Sequence, residues 1–223
     1  MCKKYELTRG IKKIKHALTR ETINLYRICA LKDFDDVKEG DLGGFIEKEA
    51  NLSHDGNCWV YDNACAYGHA RVSDNAKIRH YSQICGQVYG NCEVYGRAFI
   101  SQYANIYDNA CVYGNAHVYG NVYGNAHVSG GAFVHADAHI YDHAHVSYDA
   151  VVFSYARVYG RAKIYGKVYG YVYGNAKVTD YTKVWDKVYG NAKLNKQSKV
   201  RKVPINYEVY ESDNLVKIVD ETE

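Results

Sequence analysis

Apolar positions along this chain recur every six residues, a period that fits neither an amphipathic helix nor a simple alternating strand. From Val112 the chain reads V-Y-G-N-A-H, V-Y-G-N, V-Y-G-N-A-H, V-S-G-G-A-F, V-H-A-D-A-H, I-Y-D-H-A-H, and the template holds with drift from Ile46 to Val200. Strand side chains alternate, so the Val or Ile at the first position and the small residue at the fifth share one side. Gly and Asn lie between them, and both tolerate the positive φ of a sharp corner. Each unit predicts one short strand and one corner, and three units close a triangular coil. Coils stack at the strand spacing of about 4.8 Å, which gives an all-β, single-stranded parallel β-helix of about nine coils. A sandwich or propeller needs longer strands and antiparallel turns.

Five steps between inward positions are four residues long: Ile84 to Val88, Val118 to Val122, Ile164 to Val168, Val168 to Val172 and Val184 to Val188. Counted in threes, all but Ile164 to Val168 share one phase, so a shortened side recurs on one face of the prism. The same count places Tyr89, Tyr107, Tyr123, Tyr141, Tyr159, Tyr173 and Tyr189 at one corner of successive coils. Stacked neighbours cover each other's faces, which is the structural reading of that column. A long aromatic stripe is also a candidate binding surface.

The period fails at both ends. Residues 1–45 are expected to form an N-terminal cap, 46–200 the β-helix, and 201–223 a C-terminal cap and tail beginning near Pro204. Caps cover open strand edges that otherwise recruit other chains. Segment Ile205 to Val219 is expected to fold back, with the last residues loose.

The run A-L-K-D-F-x-D-V-K-x-G-x-L-G-G-F-I (residues 30–46), followed by N-L-S-H-D-G-N-C-W-V-Y-D-N-A (residues 51–64), resembles the YdcK-like hexapeptide-repeat proteins of bacteria and their phages. The resemblance covers roughly residues 20 to 200. It implies a left-handed coil, a hand that periodicity alone does not give, since ordinary crossovers are right-handed. It supplies no catalytic residues to carry over.

Composition agrees with strands: 24 Tyr and 19 Gly against one Pro and one Met. Seven scattered cysteines without C-x-x-C spacing read as reduced thiols in a cytoplasmic protein. No apolar run suits a membrane span, so no membrane partner is expected. Acyl transfer, the enzymatic comparison for such repeats, needs a base and an enclosing loop. The longest step, Leu52 to Val60, adds only two residues, so no enzymatic activity, catalytic residue or cofactor is expected. Nine of the ten histidines lie in residues 51–150, and they read as solvated polar positions with no metal site.

Charge is uneven. Residues 151–202 hold twelve Lys or Arg against two acids, a net +10, whereas residues 51–150 hold four against eight, a net −4. Basic columns are expected at Lys163, Lys177 and Lys193, at Lys167, Lys183 and Lys199, and from Arg157 to Lys187. The expected function is a rigid scaffold or protein-binding module, encoded by a phage, prophage or bacterium and acting on a host protein. The alternative partner is a nucleic acid or other polyanion along the basic half; a homo-oligomer stays open.

Overall fold

The computed structural model describes residues 3–15, 21–153, 155–179 and 182–218. Cys2 and the expected loose tail from Val219 onward lie outside these residues. The chain divides into two compact units, Met1–Asn115 and Ala116–Glu223.

The first unit opens with three antiparallel strands, β1 (Tyr5–Lys15), β2 (Thr22–Ala30) and β3 (Leu42–Ile46). β3 then pairs in parallel with Cys65–Ala66, and from there the chain coils. The first face continues through Gln83–Ile84 and Phe99–Ile100, and the second runs Arg71–Val72, Gln87–Val88, Asn105–Ile106. The third runs Trp59–Val60, Lys77–Ile78, Glu93–Val94, Cys111–Val112. The second unit repeats the scheme. Its first face runs from His117–Val118 to Lys202–Val203, its second from Asn121–Val122 to Tyr207–Val209, and its third from His127–Val128 to Lys193–Leu194. Val216–Lys217 closes the second face antiparallel. The fold is an all-β parallel β-solenoid.

The core follows the period. Inward positions from Ile46 to Leu194, such as Val88, Ile106, Val146 and Val172, are fully buried, as are the small fifth-position residues Ala76, Ala110, Ala144 and Ala176. Cys58 and Cys92 occupy that small inward position and are equally buried. Six cysteines, Cys29, Cys58, Cys65, Cys85, Cys92 and Cys111, are free thiols.

The corners differ from expectation in one respect. Within the six-residue repeats positive φ falls at the third template position, as Gly, Asp, His80 or Tyr148, and one place later only at Tyr155 among the described residues; the following Asn does not take it. Asp is tolerated there because its carboxylate accepts a backbone N–H from the next coil: Asp74 Oδ2 from Gly90 (2.9 Å), Asp142 Oδ2 from Gly160 (3.1 Å). Asn side chains instead form amide ladders, Asn75 to Asn91 to Asn109 and Asn175 to Asn191, at 3.0–3.1 Å. The in-phase four-residue steps all turn from the first face to the second, where coils pack closely. A Cβ on Gly120 would lie 2.4 Å from His135 O, and one on Gly86 would lie 2.2 Å from Ser101 O.

The last coil slips. Val184 pairs with Val203 and Lys183 with Lys202, so Val200 and Lys199 do not hold the places expected of them. The reason is a wider turn after Leu194. Ser198 Oγ donates to Lys193 O and accepts from Asn195 N, and the Arg201 guanidinium bonds back to Asn195 O and Lys196 O. Lys199 is drawn aside by its backbone N–H, which donates to Asp213 Oδ2 at 2.7 Å.

Candidate functional site

Outward side chains one circuit apart line up. In the second unit the tyrosine column is Tyr123, Tyr141, Tyr159, Tyr173, Tyr189, with successive ring centroids 4.8–5.0 Å apart at 2–8°. In the first unit Tyr89 stacks on Tyr107 at 5.2 Å and 3°. These rings are half-buried and use their faces on each other, so a partner would meet edges and hydroxyls. Burial pushes the Tyr141, Tyr159 and Tyr173 hydroxyls above the usual tyrosine range.

The sequence reading missed a second aromatic column, on the first face of the second unit. His135 stacks on Phe153 at 5.0 Å, Phe153 on Tyr169 at 3.9 Å, and Tyr169 on Trp185 at 3.8 Å. The signal was present: each residue directly follows an inward Val.

The basic columns flank these rings. On the third face Lys163, Lys177 and Lys193 are in register, preceded by His127 and His145, whose rings stack at 4.8 Å. On the first face the column is Lys167, Lys183 and Lys202, with Lys202 in place of Lys199. On the second, Tyr171 separates Arg157 from Lys187. The lysines of the first- and third-face columns are exposed. The ion pairs of Lys3, Lys38, His54, Lys77 and Arg79 lie in the first unit, away from these columns. The described residues also contain no group of three or more His, Cys, Asp or Glu able to hold a metal, and no helix long and apolar enough to cross a membrane.

The first unit carries a cavity of about 630 Å³ beside its second face. One wall is the 3-10 turn Glu49–Asn51 and the following Ser53, His54 and Asp55; Arg71, Ser73, Gln87 and Tyr89 complete it. The N-terminal strand braces this wall. Tyr5 is fully buried, stacks on His54 at 4.3 Å and donates its hydroxyl to Leu52 O at 2.7 Å. The Lys4 backbone N–H donates to His54 Nδ1 at 3.2 Å. A neutral His54 therefore carries its proton on Nε2, which is buried, lacks a hydrogen-bond partner and lies 3.9 Å from Glu49 Oε2. The Lys3 ammonium, 2.6 Å from Glu49 Oε1, holds that carboxyl below the usual range.

Short parallel strands coiled three to a circuit around Val, Ile and Ala define the class: a hexapeptide-repeat β-solenoid. Residues 104–120 match the YdcK beta solenoid repeat. A 72-residue stretch is 44% identical to a protein of Escherichia coli (strain K12) named "Uncharacterized acetyltransferase YdcK", covering 32% of this chain and 22% of that relative. These stretches of the chain are thus similar to YdcK-type hexapeptide-repeat proteins, and the match spans under a quarter of that relative's length.

That similarity corrects the expectation of no enzymatic activity, because the relative's name is that of an acyl-transferring enzyme. The physical premise also fails. The insertion between Leu52 and Val60 looked too short to enclose a substrate, yet with the turn before it and the N-terminal strand behind it, it walls a cavity.

Proposed function

We propose that the chain binds a linear polyanion along the basic faces of its second unit. The observation that carries this reading is the register of Lys163, Lys177, Lys193 and of Lys167, Lys183, Lys202. Like charges one coil apart repel by about 1 kcal/mol per pair even in water. A solenoid tolerates that cost more readily when a ligand of opposite sign neutralises it. Stacked rings beside the lysines add flat edges to the surface. Labelled single-stranded oligonucleotide and heparin, titrated across a salt series, test it. Binding should fall steeply with salt and be lost in the triple variant Lys177→Glu, Lys183→Glu, Lys193→Glu. Salt-independent binding, or full binding by the triple variant, refutes it.

A second reading, acyl transfer from a coenzyme A thioester at the first-unit cavity, is favoured by the relative's name and by the His54–Glu49 pair. His54 Nε2–H is buried and faces the Glu49 carboxylate, and the exposed Glu49 is the proton acceptor for an attacking amine or hydroxyl. Thiol release from acetyl-coenzyme A as its acetyl group passes to an added amine or hydroxyl acceptor, abolished by Glu49→Gln, is the expected outcome. Release unchanged in that variant removes this reading.

A further inference from the structure

The tyrosine column of the first unit stops short. Ser53, Ser73, Tyr89 and Tyr107 occupy one position on successive coils. The first three donate their backbone N–H to the coil after their own: Ser53 to Val72 O (2.8 Å), Ser73 to Val88 O (3.1 Å), Tyr89 to Ile106 O (3.0 Å). Tyr89 stacks on Tyr107 through one face. On the other side a serine stands where the next ring of the ladder belongs. The first-unit cavity opens there, lined by both Ser73 and Tyr89. Ring ladders in this fold repeat at the coil spacing of about 4.8 Å, within the range for stacked aromatics. The open rung therefore has the thickness of one planar ring.

The rest of the lining narrows the ligand. Arg71 precedes Ser73 by two residues and is an exposed cation suited to a phosphate. Glu49 and Asp55 are carboxylates, groups that accept hydrogen bonds from ribose hydroxyls, and Gln87 offers an amide to a base edge. A purely apolar ring would leave these polar groups unused, and a polyanion would be repelled by the two carboxylates.

We propose that this cavity binds a purine nucleotide, its base stacked on Tyr89 in the rung that Ser73 leaves open. This rests neither on polyanion binding, which lies on the second unit, nor on acyl transfer, since no acyl group is needed. The test is calorimetric titration of the full chain with adenosine 5′-monophosphate and with adenosine. Saturable binding of the nucleotide is expected. Ser73→Tyr adds the missing rung to the ladder, so it should weaken binding at least about tenfold, as loss of a base–aromatic stack does, while leaving the melting temperature unchanged or higher. Arg71→Gln should weaken the nucleotide and leave adenosine unaffected. No saturable nucleotide binding, or wild-type binding by a folded Ser73→Tyr protein, overturns the proposal.

Discussion

Tyr169 and Trp185 are stacked nearly parallel, their ring centroids 3.8 Å apart at 8°, with Phe153 on the opposite face of Tyr169 at 3.9 Å. Tyr169 thus covers two rings at once. At about 0.5–1.5 kcal/mol per aromatic pair, Tyr169→Ala should cost about 1–3 kcal/mol and Tyr169→Phe almost nothing. Urea unfolding midpoints of the two variants check this; equal midpoints would mean that the stack contributes no stability.

A methyl group at the short corner should be far more costly than one in an open loop. On Gly120 a Cβ meets two backbone oxygens, His135 O at 2.4 Å and Ala138 O at 2.6 Å, neither of which can swing away. Gly120→Ala should destabilise by about 2 kcal/mol or more. Gly40 has φ +88° and nothing within 4 Å of its Cβ position, so Gly40→Ala bears only backbone strain of about 1 kcal/mol. Thermal melts of the pair should rank them in that order.

The N-terminal strand is held by a buried amine. Lys4 is fully buried and its Nζ donates to Cys58 O (2.9 Å), Gly56 O (3.2 Å) and Asp55 O (3.4 Å). Burial lowers its pKa from the usual lysine value. Lys4→Met keeps the stem and strips the donor, leaving dry carbonyls at about 1–3 kcal/mol each. The melting temperature should drop clearly. Lys3→Met, which removes an exposed pair with Glu49, should barely change it.

Acid should weaken the histidine-bearing coils. His145 is held below the ordinary value of 6.5 by burial, then by His127, Lys163 and His143. His139 is lowered by burial, then by Arg157, with Asp137 opposing. The unfolded chain takes up these protons first, so the stabilisation is complete above about pH 6.5 and is lost as pH falls through that value toward the depressed folded pKa. Melting temperatures should decline from pH 7.5 to 5.5, and the His139→Gln, His145→Gln double variant should flatten the decline. A rise on acidification contradicts the assignment.

Much of the fold was legible because the six-residue period is a local rule. Ile46 through Leu194 fall inward by counting alone, and the in-phase four-residue steps mark one edge of the prism. The tyrosine positions were legible for the same reason. The aromatic column through His135, Phe153, Tyr169 and Trp185 was not recognised, because its members differ in type and only their position after the inward Val unites them. Lys202 replaced Lys199 because hydrogen bonds of Ser198 and Arg201 widen the last turn, and no repeat reports such a turn.

The sequence by itself determined the solenoid, since a strand and a corner of fixed length leave a chain of Val and Ala one way to bury its apolar side. Only the tertiary structure decided where a cavity opens. Lys4 and Tyr5, Glu49 and His54, and Ser73 and Tyr89 come from separate stretches of chain: coil stacking brings Ser73 beside Tyr89, and the chain at Lys4 and Tyr5 folds back to brace the His54 wall. Local spacing sets what repeats, whereas a site arises where non-repeating chain is packed against the repeat.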